Sequence, residues 1–592
     1  MILQRSWRAA SAWLAAALVS VVPSPGHTMT SPLQAKPCSV GDSKAPAICG
    51  TLLVYEDRVA KSGRSIPIHF ILIKAKHASH HAIAYNPGGP GGSAIEAAPA
   101  FAEGEAAPLR DQHDILLVDN RGTGASAPQL CNFAPPAHPE LYFPRLWPDA
   151  LVKACRDRLA AHANLSLYSS SVAADDLDDV RAALGYEKLT LFGGSYGTRL
   201  YLVYVRQHPD RVESLVLAGV APPHFYILPL PMAAAAQASM NNLIAACNAD
   251  ATCAKHFPSF GAHFAALVRR FDAGPVVVPL QNPANRGQSV RLSKEVFAET
   301  LRHTLYSANA AYIPVVVERA YHRDYAALAS LIDQVRQQFA GMSAGLFLSV
   351  TCAEDIPFIT EADVVRTSSH SFQGGERVRA QQRACRIWNV RAVPKSFIDP
   401  VGTDLPVLMI SGTDDPATPP SYAKQAMTLL PNARMMLVKG ASHQSDYPPC
   451  VYQAIASFVR SQSASQIGLE HCAAAYKRPA FATLTYFDSA HGENAALTAR
   501  FRSLITELLK GRIDRAQLTP ALSKDYPDAV LRQIASHGSD KGAMESFGYR
   551  GAHRSTKGMA YEYLAHFVQA NANVTITLNA AGKVADMDIS LI

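Results

Sequence analysis

A chain of 592 residues with 48% hydrophobic and 17% charged side chains is too apolar to be disordered and too long for one ordinary core, so two or three structural units are expected. The formal charge of +7 is modest for this length and gathers in no Lys/Arg run, which argues against a nucleic-acid partner. Ten cysteines, an even number, point to disulfides in an oxidising compartment.

In chain order, Arg5 and Arg8 precede an alanine-rich apolar run, Ala9 to Val22, closed by Pro23-Ser24-Pro25-Gly26. That order of positive head, short apolar middle and small-residue exit reads as an export signal over 1–26. The run is short for a span of about 20 residues, so a secreted or periplasmic protein without stable membrane association is expected once the signal is removed.

Ala82 to Tyr85 reads as a strand entering Asn86-Pro87-Gly88-Gly89-Pro90-Gly91-Gly92. Glycine density lets backbone N–H groups approach a substrate oxygen, and Gly89 is taken as one oxyanion donor. A phosphate loop would need G-x-x-x-x-G-K-[ST], and Pro90 argues against a dinucleotide fingerprint. Asp114 to Val118 reads as a strand leading to Asp119-Asn120-Arg121-Gly122, in which Arg121 is assigned a structural role.

Leu189 to Phe192 and the amphipathic stretch Thr198 to Gln207 flank Gly193-Gly194-Ser195-Tyr196-Gly197, a G-x-S-x-G sequence. A sharp strand-to-helix reversal strains its corner residue and demands small neighbours, which Gly193 and Gly197 supply. Ser195 is therefore the candidate nucleophile, and the Tyr196 N–H at the helix start is the second oxyanion donor. Serine needs a general base and an orienting acid. Strand Pro406 to Ile410 opens into Ser411-Gly412-Thr413-Asp414-Asp415-Pro416-Ala417-Thr418-Pro419, in which Asp414 and Asp415 compete as the acid. After a helix over 421–430 and a strand over 434–438, His443 follows as the base.

Nearly two hundred residues of mostly helical periodicity separate the strand Ser214 to Leu217 from that at Val407, with helices expected over 230–247, 259–271, 293–306 and 319–339. An insertion there forms a lid. An enzyme that reads a free amino terminus must meet an ammonium with a carboxylate. Glu354, with Asp355 as alternative, is the candidate.

Asn86-Pro87-Gly88-Gly89-Pro90-Gly91, Asp119-Asn120-Arg121-Gly122-Thr123-Gly124, Gly193 to Thr198 and Gly412 to Pro419 together resemble the α/β-hydrolase serine peptidases of the proline iminopeptidase and tripeptidyl aminopeptidase group, over residues 38–475. The resemblance implies an exopeptidase acting on short peptides through Ser195, Asp415 and His443 without a cofactor. Its Pro-x-Thr-Pro pattern after the acid favours Asp415. Departures are Ser442 before the histidine and Ala218 in Leu217-Ala218-Gly219. Some members are esterases, so ester hydrolysis is the alternative, and a non-catalytic peptide-binding protein a further one.

The expected architecture is an α/β-hydrolase fold on a mostly parallel sheet. It divides into core segments 38–225 and 396–475, a helical lid 226–395 and a small α+β domain 484–592. In the last, helices are expected over 494–511 and 527–536 and strands over 560–568, 573–578 and 584–592, with Gly582 in a hairpin turn. This part loosely resembles the small cone-shaped domains of the nuclear-transport-factor-like group. Sequence proximity pairs Cys38 with Cys49, Cys131 with Cys155, Cys247 with Cys253, Cys352 with Cys385, and Cys450 with Cys472. With neither C-x-x-C nor H-E-x-x-H present, no metal site is expected.

Overall fold

The computed structural model describes residues 33–591 apart from 78, 224–228, 281–287, 339–340, 444–446, 464–471, 473, 475, 483–493, 540, 556 and 569–570. The expected export signal over 1–26 lies outside the described residues.

Nine strands form one sheet in the order β1-β2-β3-β5-β4-β6-β7-β10-β11. They are β1 (Leu33–Val40), β2 (Ala45–Tyr55), β3 (Ser65–Ile73), β4 (Ala82–Asn86), β5 (Asp114–Val118), β6 (Leu189–Gly194), β7 (Val212–Ala218), β10 (Val407–Gly412) and β11 (Ala433–Val438). β1, β2, β3 and β5 pair antiparallel. From β5 through β4, β6, β7 and β10 to β11 every pairing is parallel. The parallel strands are continuous apolar runs because helices cover both faces: Leu191, Leu215, Leu217, Val407 and Met409 pack on one side, and Phe192, Val216, Leu408 and Ile410 on the other.

The chain leaves the sheet after β7 and returns at β10, which lies directly beside it, with Val407 opposite Leu215. The intervening insertion has its own apolar core, including Phe257, Phe264, Phe271, Phe297, Leu301 and Ile332. It holds the expected helices as Met232–Ala249, Phe260–Asp272 and Lys294–Thr304. The helix expected over 319–339 is instead two, Ile313–Tyr321 and Ala326–Gln338. Arg323 takes a left-handed φ of 68° between them, and Asp324 Oδ1 accepts the Ala326 N–H at 3.1 Å, capping the second helix. The insertion also contains an antiparallel hairpin, β8 (Val276–Pro279) with β9 (Ser289–Leu292), which helical periodicity did not foretell.

The C-terminal part packs helix Ala495–Leu508 on an antiparallel meander, β12 (Met544–Ser555), β13 (Gly558–Phe567), β14 (Asn571–Leu578) and β15 (Val584–Leu591). Phe501, Leu504, Tyr563 and Ile576 form its core. The expected turn at Gly582 joins β14 to β15, with φ 72°. β12 was not expected; Gly548, Gly551 and two register shifts interrupt its alternation.

All ten cysteines pair as expected, with Cα–Cα distances of 5.1–5.8 Å. Among the described residues no helix is long and apolar enough to cross a membrane.

Candidate active site

Ser195 stands between the last residue of β6 and the first of helix Tyr196–Gln207, with φ 52° and ψ −122°. For a residue with a Cβ this is strained backbone, held here by close packing on every side. A Cβ on Gly193 would lie 2.6 Å from the Gly197 carbonyl, and one on Gly197 would lie 2.5 Å from the Asn86 carbonyl oxygen. Strand and helix therefore approach as closely as backbone allows. The Ser195 N–H is spent on the Ala218 carbonyl at 2.8 Å, and Thr198 Oγ1 donates to the Ser195 carbonyl at 2.6 Å.

The glycine loop after β4 lies over this corner. Gly88 and Gly89 have φ of 99° and 114°. A Cβ on Gly88 would stand 3.0 Å from both Ser195 Cβ and the Tyr196 nitrogen. Tyr196, at the first helical position, has no acceptor for its N–H inside the helix. Gly88 thus brings the glycine loop against Ser195 and Tyr196, one expected oxyanion donor, and Gly89, the other, is the next residue of that loop. Asp119 tethers the loop's far side, accepting from Ser93 Oγ at 2.7 Å and the Ile95 N–H at 3.2 Å.

The two adjacent carboxylates after β10 have separate surroundings. Asp415 Oδ2 accepts from His443 Nδ1 at 2.7 Å and Thr418 Oγ1 at 2.7 Å, while Oδ1 accepts the Ala417 and Thr418 N–H groups, each at 2.8 Å. Burial opposes its ionisation, but the His443 ring and these hydrogen bonds outweigh burial and hold its pKa below the ordinary value. An acceptor on Nδ1 leaves the Nε2 lone pair for a proton. Asp414 faces away, accepting from Asn242 Nδ2 at 3.0 Å and pairing with Arg478.

His443 is held from three directions. Its N–H donates to the Tyr306 carbonyl at 3.3 Å, and the Tyr306 ring meets the imidazole edge to face, centroids 4.7 Å apart. Gly219, with φ 65°, leaves room for the ring: a Cβ there would be 3.3 Å from His443 Cε1. Ala218, which takes the Ser195 N–H, and Gly219, which faces His443, are consecutive, so the end of β7 touches both the Ser195 corner and the His443 ring. Behind Tyr306, Arg302 bonds its hydroxyl and forks onto Glu299 at 2.9 and 2.8 Å. Tyr306 carried no motif, and Thr418 was visible only as the threonine of Pro-x-Thr-Pro.

Arg121 is structural, as expected: buried, it donates to both Asp176 oxygens and to the Glu56 and Leu167 carbonyls. The structure gives Glu354 and Asp355, the expected amine-binding carboxylates, partners within the protein. Glu354 is 1% exposed, with Oε1 accepting the Ser170 N–H at 2.6 Å and Oε2 accepting from Ser170 Oγ at 2.7 Å. Asp355, also buried, accepts from Arg199 Nη1 at 2.8 Å. Both carboxylates lie among protein donors and away from solvent. Among the described residues no group of three or more His, Cys, Asp or Glu side chains could hold a metal.

Residues 82–445 match the family model described as the alpha/beta hydrolase fold. The chain is 27% identical over 432 residues to serine protease Hip1 of Mycobacterium tuberculosis, covering 66% of this chain and 81% of that protein. It is 33% identical over 196 residues to tripeptidyl aminopeptidase of Streptomyces lividans (30% of this chain, 36% of that protein). To proline iminopeptidase of Xylella fastidiosa it is 29% identical over 133 residues (22% and 30%). With a family match spanning more than half its length, laid on a sheet whose strand ends gather a strained serine and a carboxylate-bound histidine, the chain belongs to the α/β-hydrolase family and is similar to its serine peptidases.

Proposed function

We propose that this serine hydrolase is an exported aminopeptidase that cuts near the free amino terminus of short peptides, with Ser195 as nucleophile, His443 as general base and Asp415 as orienting acid. The observation that carries the reading is the strained Ser195 corner beside a histidine whose Nδ1 is bound by a buried carboxylate at 2.7 Å. Ser195 Oγ attacks the scissile carbonyl while His443 Nε2 takes its proton, and the carbonyl oxygen becomes an anion between the Gly89 and Tyr196 N–H groups. His443 returns the proton to the leaving amine as the tetrahedral adduct collapses to an acyl-enzyme. Water, deprotonated by the same imidazole, then releases the acyl portion. Asp415 remains ionised throughout and stabilises the imidazolium.

Export is supported by the five disulfides, which persist in oxidising compartments. The relatives named aminopeptidase and iminopeptidase favour free-amine peptides. A carboxylic-ester hydrolase with the same machinery is the second reading, favoured by the commitment of Glu354 and Asp355 within the protein. Purified enzyme is to be assayed on Ala-Ala-Phe-, Pro- and N-acetylated chromogenic peptides beside p-nitrophenyl esters. Turnover confined to free-amine peptides, lost in Ser195→Ala, supports the proposal; ester-only turnover overturns it in favour of the second reading.

A further inference from the structure

One lid helix, Ala344–Glu354, touches both halves of the oxyanion site. At its start the Ser343 N–H donates to the Gly91 carbonyl at 3.0 Å, and a Cβ on Gly91 would meet the Ser343 carbonyl oxygen at 2.9 Å. This end is seated on the glycine loop. At the other end, Glu354 and Asp355 reach the nucleophile helix at two positions one turn apart. Asp355 grips Arg199 directly. Glu354 grips Tyr196 through Ser170, whose Oγ lies 2.7 Å from both the Tyr196 hydroxyl and Glu354 Oε2.

Proton count fixes the direction of this chain. Ser170 has one hydroxyl proton; when Glu354 is ionised that proton points to Oε2, so the Tyr196 hydroxyl donates to Ser170 Oγ. Tyr196 is then anchored through its phenol on Ser170, and its backbone nitrogen faces the glycine loop at Gly88, where an added Cβ would stand 3.0 Å away. A fixed phenol on the residue that carries the donor limits how its N–H can turn.

We propose that Glu354 is a positioning residue which, through Ser170 and Tyr196, holds one oxyanion donor while the start of its own helix holds the other, so that this helix is a brace across the oxyanion site. The inference rests on the proposed Ser195 chemistry and replaces recognition of a substrate amine as the role of Glu354. A donor misaimed before reaction loses strength where charge develops, so the brace is felt in the transition state and not in substrate binding.

The test uses the full-length enzyme with Glu354→Ala, Ser170→Ala and Tyr196→Phe, on a free-amine peptide and an N-acyl ester. Readouts are kcat and KM, affinity for a peptide boronate that mimics the tetrahedral adduct, and the rate of fluorophosphonate labelling at Ser195. Expected is a fall in kcat of about tenfold or more on both substrates, KM near wild type, and matching losses in boronate affinity and labelling rate. Loss confined to KM for the free-amine peptide would make Glu354 an amine anchor and overturn the brace. So would unchanged kcat and boronate affinity in folded variants. Tyr196→Phe removes one oxygen only and keeps the test decisive if Glu354→Ala does not fold. A wild-type enzyme that turns over substrate without labelling at Ser195 overturns the proposed function itself, whereas equal labelling of all variants overturns only the brace.

Discussion

The proton on Glu354 offers a numerical test that needs no substrate. Burial is the leading cause that raises this carboxyl to about 7 from its ordinary 4.5, against the opposing pull of Arg199 and the Ser170 hydrogen bonds. The unfolded chain releases the proton near 4.5 and the folded chain near 7. Between these values the native state binds more protons, so stability falls as pH rises through that window. At about 1.4 kcal/mol per pH unit, the loss across the window is about 3 kcal/mol. Glu354→Gln retains an oxygen for the Ser170 N–H and removes the titration, while Asp355, Arg199 and Tyr196 remain in both proteins. With an unfolding entropy of about 2 cal/mol/K per residue, the hydrolase part, residues 33–482, shifts by about 1 °C per kcal/mol. Thermal unfolding of wild type and variant, followed by intrinsic fluorescence from about pH 5 to 8, should show the difference in Tm moving by about 3 °C in the variant's favour. A difference that stays constant over that range would refute the reasoning.

Three other perturbations bear on the site. Gly193→Ala places a methyl 2.6 Å from the Gly197 carbonyl, where only backbone can yield; kcat should fall by about 100-fold as the corner shifts, and denaturant unfolding should show a loss of about 1–3 kcal/mol. Asp415→Asn should lower kcat by about 10⁴-fold, because the amide offers a donor where His443 Nδ1 needs an acceptor, whereas Asp414→Asn should leave kcat near wild type; steady-state kinetics of the pair distinguish the two carboxylates. Tyr306→Ala removes the ring against His443 and should lower kcat more than Tyr306→Phe, which keeps the ring and loses only the Arg302 bond; stopped-time assays on one substrate rank the three proteins.

What the sequence disclosed followed from how local each signal is. The corner at Ser195, the glycine loop and the end of β10 announce themselves because backbone geometry demands particular residues within five or six positions. The parallel strands are equally plain, since burial on both faces leaves unbroken apolar runs such as Val407 to Ile410. β12 escaped because its glycines and register shifts hide the alternation, and the break at Arg323 because one left-handed residue is invisible among helical periodicities. Glu354 is a case of another kind. A carboxylate beside a lid cysteine reads the same whether it faces a pocket or bonds Ser170, 184 positions earlier in the chain. Only the folded arrangement distinguishes an anchor for substrate from a fastening between helices. Tyr306 was hidden likewise, because an aromatic one turn from a helix end is commonplace until the histidine loop is laid against it.

The adjacency of β7 and β10 carries a consequence for biogenesis. On the proposed chemistry, Ser195 is synthesised ahead of the insertion and His443 behind it, so an emerging chain carries a nucleophile without a base until β11, which precedes His443, has joined the sheet. A nascent or truncated enzyme would therefore be inert toward neighbouring polypeptides, and hydrolytic competence would arise only when the strand after the lid docks against the one before it. Turnover would then serve as a clock for closure of the sheet, starting late in synthesis and, for an exported protein, near its destination.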